Sequence, residues 1–294
     1  MMKNLKMFSM GLGISAAALL LACSAAVAQD SQEKPTLNKD KQQAQQQKPE
    51  TTTLSLDTPA AAPASSEEDT ALKALQAMPE GSAPNLQAKL DAAEAFLQKY
   101  PQSRYRSMAY GFLTIGYVQI GKSDKAIEYG DKELELNPND VATMAVLSQT
   151  IPRVFSISAP DGPKKLDKAE LLGKRAVEVV PTLPKPEGMT DEVFASTKNQ
   201  TLAMAHGGLG LVAWRRSKFA DAIPELEASV KLDTVADPVN WLILGVVNQN
   251  TSHFDAAAAA YGHCASITSA LQTTCKTKSE EAKKLAATQL SAPK

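Results

Sequence analysis

The side chains of this chain that could do chemistry are three histidines, three cysteines and a run of carboxylates, and their spacing assigns them little. Of His206, His253 and His263, the first two have no ligand-like neighbour at close spacing, whereas a metal site needs several convergent N, O or S donors. His263 and Cys264 with Cys275 form one trio, without the paired cysteines or histidines of a zinc site. His206-Gly207-Gly208-Leu209-Gly210 has the glycines of a phosphate cradle but neither a preceding strand nor a closing Lys-Ser. Three glycines in one helix cost about 1 kcal/mol each relative to alanine, so the run implies a close approach to that backbone by a helix or a ligand. Asp124, Glu128, Glu133 and Glu135 are interleaved with Lys125 and Lys132, the pattern of a solvated helix face and not of an acid and base pair. No serine or cysteine is recognisably paired with an activating base. These features argue for a protein that is not an enzyme and needs neither metal nor cofactor. Lysine and arginine number 31 against 32 aspartates and glutamates, with no basic cluster interleaved with aromatics. A nucleic-acid partner would need a concentrated positive face, so none is expected.

The elements that would position these groups are helices. The chain of 294 residues is 44% hydrophobic with 15 glycines and 17 prolines, and Ala and Leu dominate from residue 67 onward. Residues 107–140 read as two short amphipathic helices meeting at Gly121 and closed by Asn137-Pro138-Asn139-Asp140. Tyr110, Leu113, Tyr117, Gly121, Ala126, Leu134 and Pro138 stand where a tetratricopeptide repeat has its bulky residues, turn Gly, second-helix Ala and final Pro. The stretch resembles that family's 34-residue unit. It departs at Thr114, where the family prefers Gly, and at Glu133, where it prefers Ala.

Further units follow in the same register. Val141 opens a second, with Met144, Leu147 and Ile151. Ile151 and Ala169 stand eighteen apart where the family has nine, so nine residues are inserted within 152–165, and Ala176 and Pro181 restore the register. Residues 182–190 are a second insertion and a loop, after which Asp191 caps a long helix. Leu209, Gly210, Phe219, Ala222, Leu226 and Ser229 lay out a third unit. Trp241, Leu244, Gly245, Phe254, Ala257, Tyr261 and Cys264 lay out a fourth. A degenerate helix pair over 67–78 and 86–100 precedes them as a terminal cap. Its ending, Tyr100-Pro101-Gln102-Ser103-Arg104-Tyr105, resembles junctions in tetratricopeptide lipoproteins of outer-membrane assembly complexes. Residues 279–290 read as a solvating C-terminal helix, with Glu280 and Lys284 at favourable spacing. The resemblance implies an all-α solenoid of about four helical hairpins over 67–290, because stacking buries the apolar face each hairpin leaves open.

Residues 1–28 carry Lys3 and Lys6, an apolar core and the small residues Ala26-Val27-Ala28, and read as a secretory signal peptide cut before Gln29. Leu20-Leu21-Ala22-Cys23 resembles a bacterial lipobox, so lipidation of Cys23 is the alternative, and a membrane enters only through it. Either way the chain is exported, periplasmic or secreted. Residues 29–66, rich in Gln, Lys, Thr and Pro, cannot bury enough surface to offset their chain entropy and read as a disordered linker. Export leaves Cys264 and Cys275 available to pair. Eleven residues of unbroken helix span about 16 Å, well beyond the roughly 4.4 to 6.8 Å between Cα atoms that a disulfide allows, so a helix break is expected over 266–274.

The resemblance also implies where a partner would sit, since the family's first helices line a concave groove. Those places fall here on Ile115, Val118 and Gln119, on Leu211, Trp214 and Arg215, and on Val246, Gln249 and Asn250. The set is apolar with a few amides and one arginine. It implies a scaffold in the cell envelope holding an apolar or helical segment of a protein or peptide partner, with Trp214 and Arg215 as anchors. A lipoprotein subunit of an envelope assembly complex is the alternative within binding, and an enzyme with an unrecognised site the alternative outside it. Trp214 also has a structural reading, packing against the 182–190 insertion. Limited proteolysis of the full chain should remove the linker and leave a resistant core starting near Glu67. Resistance across the whole of 29–66 would refute the linker assignment.

Overall fold

The computed structural model describes residues 65–156 and 159–291, and every regular element among them is helical. The signal peptide, Cys23 and the linker up to residue 64 lie outside the described residues. Eleven α-helices follow one another: α1 (Ser66–Ala77), α2 (Ala83–Lys99), α3 (Arg106–Gln119), α4 (Ser123–Leu136), α5 (Val141–Val154), α6 (Gly162–Val179), α7 (Asp191–Arg215), α8 (Phe219–Leu232), α9 (Pro238–Asn250), α10 (Phe254–Ser266) and α11 (Gln272–Ser291). A short 3₁₀ turn, Val180–Thr182, follows α6. Helices α3 to α10 pack as four successive hairpins, with α1 and α2 before them and α11 after, a tetratricopeptide-type solenoid. Helix α1 begins at Ser66, one residue before Glu67, because Ser65 and Glu68 form a capping box at its start.

The common register is visible in burial. Ala126, Ala169, Ala222 and Ala257, one on each second helix, are all 0% exposed. A methyl group at this place lets the two helices of a hairpin close on each other. The nine extra residues of the second unit are absorbed in two ways: a longer connection between α5 and α6, and an α6 of 18 residues where α4 has 14. Three hairpins also close with the same turn. Gly121, Ser217 and Ser252 take positive φ of 73°, 58° and 62°, and the next residue's N–H donates back to the carbonyl of Tyr117, Ala213 or Asn248 at 2.8, 2.9 and 2.8 Å. Glycine is the residue best suited to that left-handed position, and the two serines hold it at some conformational cost.

Two expectations about helix ends are corrected. The N-cap of α7 is Thr190, whose Oγ1 accepts from the N–H of Val193 at 3.3 Å, and Asp191 is the first helical residue. An aspartate there still favours the positive end of the helix. The C-terminal helix starts seven residues before 279 and is not merely solvating. Cys275, Ser279, Ala282 and Ala286 bury one face of α11, and the Ser279 hydroxyl donates to the Ala258 carbonyl at 2.9 Å. Between α10 and α11 the helix breaks over 267–271. This brings Cys264 and Cys275 to a Cα separation of 5.7 Å, joined as a disulfide. Closing so short a loop stabilises the fold by on the order of 3 kcal/mol.

At the other end, Glu94 of α2 docks the degenerate first pair. Its Oε1 accepts from Tyr117 Oη at 2.5 Å, Lys125 Nζ at 2.6 Å and Tyr129 Oη at 2.9 Å. The polar contact is ringed by an apolar cluster that includes Leu75, Leu90, Phe112 and Leu113.

The glycine run marks the tightest place in the solenoid. A Cβ on Gly208 would lie 2.6 and 2.7 Å from the backbone C and O of Ser148 on α5, and one on Gly207 would lie 2.6 Å from Nδ2 of Asn240. The run therefore serves helix contact and not a phosphate cradle. Gly208→Ala should destabilise by about 2 to 3 kcal/mol, although alanine is the better helix former, because a backbone cannot move aside as a rotamer can. Gly111, on α3, has nothing within 4 Å of its would-be Cβ, and Gly111→Ala should stabilise by up to about 1 kcal/mol. Urea unfolding of the two variants checks both signs.

Candidate partner-binding groove

The second unit also has groove positions. One 34-residue step from Ile115, Val118 and Gln119 lands on Gln149, Pro152 and Arg153 of α5. The structure uses two of them for a polar bridge from α5 to the start of α9, which continues through Ser229 of α8 to α7. Arg153 forms a salt bridge with Asp237, the N-cap of α9, and Gln149 Nε2 donates to the same carboxylate at 3.4 Å. Asp237 accepts from the N–H of Val239 at 2.9 Å through its other oxygen. Asn240 Nδ2 donates to Ser229 Oγ at 3.0 Å, and Ser229 donates to the Ala203 carbonyl of α7 at 2.7 Å. Asn240 is 1% exposed and Ser229 0%, so this network is interior. Sequence reasoning missed Gln149, Arg153, Asp237 and Asn240, because Arg153 fell in the insertion and the caps of first helices are outside the repeat pattern. The 34-residue step alone could have found the first two.

Around the bridge, the nine expected groove residues differ in burial: Leu211 is buried, Asn250 is exposed and the others lie between. Leu211 is 1% exposed and packs with Ala222, Leu226, Ile243 and Leu244, so it is a core residue and not a contact surface. Ile115 and Val118 are partly buried against Met144, Ala145 and Val146, covered by α5, and Gln119 is partly buried beside them. Val246 packs on Ala257, Tyr261 and Ala282, and Gln249 accepts from the Tyr261 hydroxyl at 3.0 Å. Asn250 is exposed, its Nδ2 donating to the Val246 carbonyl at 2.8 Å. The apolar members of the set are thus divided among separate packing clusters, one shared by Ile115 and Val118, one by Leu211 and Trp214, and one holding Val246.

Arg215 is not a free anchor. Its Nε donates to the Pro152 carbonyl at 2.8 Å and its Nη2 to that of Arg153 at 3.4 Å. These carbonyls lie at the end of α5, where no further turn of helix would satisfy them. The guanidinium also lies over the rings of Trp214 at 4.4 Å and Phe155 at 5.9 Å. Trp214 is half-buried against the cluster shared by α7, α8 and α9. It does not pack on the 182–190 insertion, because α7 runs unbroken for 25 residues and puts Trp214 about 35 Å from Asp191. The structure therefore brings together Trp214, Arg215 and Phe155, with Val154 next to them 47% exposed.

The other candidates for chemistry are dispersed. Among the described residues no group of three His, Cys, Asp or Glu is placed to hold a metal ion, and no helix is long and apolar enough to cross a membrane. His206 Nδ1 lies 2.7 Å from Glu225 Oε2, His253 Nδ1 lies 3.0 Å from Thr251 Oγ1, and His263 stacks on Trp241 at 4.4 Å. Of the carboxylates expected on a solvated face, Asp124, Glu128 and Glu135 are exposed, but Glu133 is 1% exposed, turned inward where the family has alanine. A cleft of about 350 Å³ between α6 and α8 is rimmed by charges of both signs, in which Glu170 pairs with Arg216 and Lys174.

No protein-family profile matches this chain, and no curated protein matches it. Solved structures do. The chain is similar to TTC0263, a thermophilic TPR protein of Thermus thermophilus, at 19% identity over 73% of this chain and 98% of that one, with a TM-score of 0.47. It is also similar to MamA of Desulfovibrio magneticus RS-1, at 14% identity over 68% of this chain and 94% of that one, with a TM-score of 0.46.

The bridge has a measurable signature. Arg153→Met should cost about 3 kcal/mol, because it leaves Asp237 as a buried charge with no cation. The double variant Arg153→Met, Asp237→Asn should recover most of that loss while keeping the α9 cap. Denaturant unfolding of the single and double variants measures the coupling, and additive losses would show that the two side chains act independently.

Proposed function

We propose that this protein is a non-enzymatic binding scaffold of the cell envelope that holds a segment of a partner protein or peptide along the first-helix side of its solenoid. The observation that carries the reading is the patch of Trp214, Arg215, Phe155 and Val154. Arg215 is held by two carbonyls of α5 and stacks on Trp214, so the indole is fixed before any partner arrives. A preorganised aromatic loses little side-chain entropy on binding, which is why tryptophan supplies a disproportionate share of interface energy. The neighbouring Val154 and Phe155 extend the apolar surface without adding charge, which suits an apolar or helical segment. Placement in the envelope rests on the signal-peptide pattern of residues 1–28.

Trp214→Ala is the test, with the unaltered full chain used as bait against native envelope extract and the captured partner then titrated with both forms. The variant should keep its helicity by circular dichroism while losing partner affinity by tenfold or more, about 2 kcal/mol. Full capture by the folded fraction of the variant would assign Trp214 to packing alone and overturn the reading.

A further inference from the structure

Glu133 sits at the joint between the first two full units. Its Oε1 accepts from the Ser107 hydroxyl of α3 at 2.7 Å, while Oε2 is buried and meets no donor from the protein. From across the joint comes Asp140, the N-cap of α5, whose carboxylate accepts from the N–H of Thr143 at 2.6 Å. The neutral side chain of Asn137, which closes α4, also reaches the carboxyl. Lys132, next to it in sequence, is paired with Glu128 at 2.6 Å on the outer face. The buried carboxyl therefore faces neutral donors and one like charge, with no cation set against it. Burial first, and then Asp140, push its pKa up from 4.5 to about 7, against the hydrogen bonds from Ser107 and Asn137.

We propose that Glu133 makes this joint a proton-operated latch, closed between α4 and α5 when the carboxyl is neutral and more readily opened when the carboxylate forms. The opened chain, with the carboxyl in water, titrates near 4.5, and the closed joint near 7. Closure is therefore strongest below the first value and weakens as pH rises through the second. Opening would also uncover Ile115 and Val118, which pack across this same joint on α5. The inference rests on the joint and stands whether or not Trp214 binds a partner.

Hydrogen exchange of the backbone amides over residues 133–144 in the full chain, corrected for intrinsic rates, tests it at about pH 5 and pH 8. Opening should increase by about seventyfold between the two in the unaltered protein. Glu133→Gln keeps an acceptor for Ser107 and removes the charge, and its opening should be the same at both pH values. A flat profile in the unaltered protein, or an equal rise in the variant, overturns the proposal. Should the variant not fold, carbon-13 NMR of glutamate side-chain carboxyls in the unaltered protein decides: one resonance titrating near pH 7 supports the latch, and all titrating below about pH 5 overturns it.

Discussion

The crossing of α5 on α7 at Ser148 and Gly208 is the contact on which the rest of the solenoid depends. Two helices can lie with backbone against side-chain-free backbone only where a Cβ is missing, and here a Cβ would fall 2.6 Å from a backbone carbon. That approach determines how far the second unit leans over the third. With α5 drawn in, Gln149 and Arg153 reach past α7 to Asp237 and Asn240 at the start of α9, so the second and fourth units touch through polar groups. An ordinary stack of hairpins joins nearest neighbours. The bridge adds a longer-range constraint, and a buried ion pair is better suited to selecting one arrangement than to adding stability.

Much of the fold was legible because repeat register is a local property. Four alanines spaced along the chain could be aligned by counting, and all four are fully buried. The break between Cys264 and Cys275 followed from helix rise and disulfide reach, and it falls within the interval those two lengths define. Gly121 was readable as a turn. Ser217 and Ser252 were not, because serine carries no signal for positive φ and the turn's geometry there is imposed by the hairpin around it.

The groove was far less legible, and the reason is physical. Register says which residues of a first helix point toward the concave side, but whether that side is open depends on the lean between units. Leu211 holds a groove position and is core, because the close crossings around α7 bring α9 onto it. Arg215 holds the adjacent anchor position and is occupied with the end of α5, a demand created by the insertion that ends α5 in an irregular connection. Glu133 misled for a different reason: among alternating charges it read as solvated, although it stands at the family's alanine place, and the structure puts it on the inner face.

What remains for a partner is shaped by these same facts. The positions nearest the crossing are filled, the last unit's Val246 lies under α11, and the first unit's Ile115 and Val118 lie under α5. One accessible apolar patch lies at the ends of the first helices, where Phe155 and Trp214 flank the Arg215 guanidinium and Val154, next to Phe155 in sequence, is exposed. An interface built on such a patch would bury aromatic and aliphatic area and offer few free donors, so its selectivity would come from shape more than from charge. The tight crossing and the helices packed around it therefore leave the first-helix positions unequally placed, buried at Leu211, half-buried at Trp214 and exposed at Asn250.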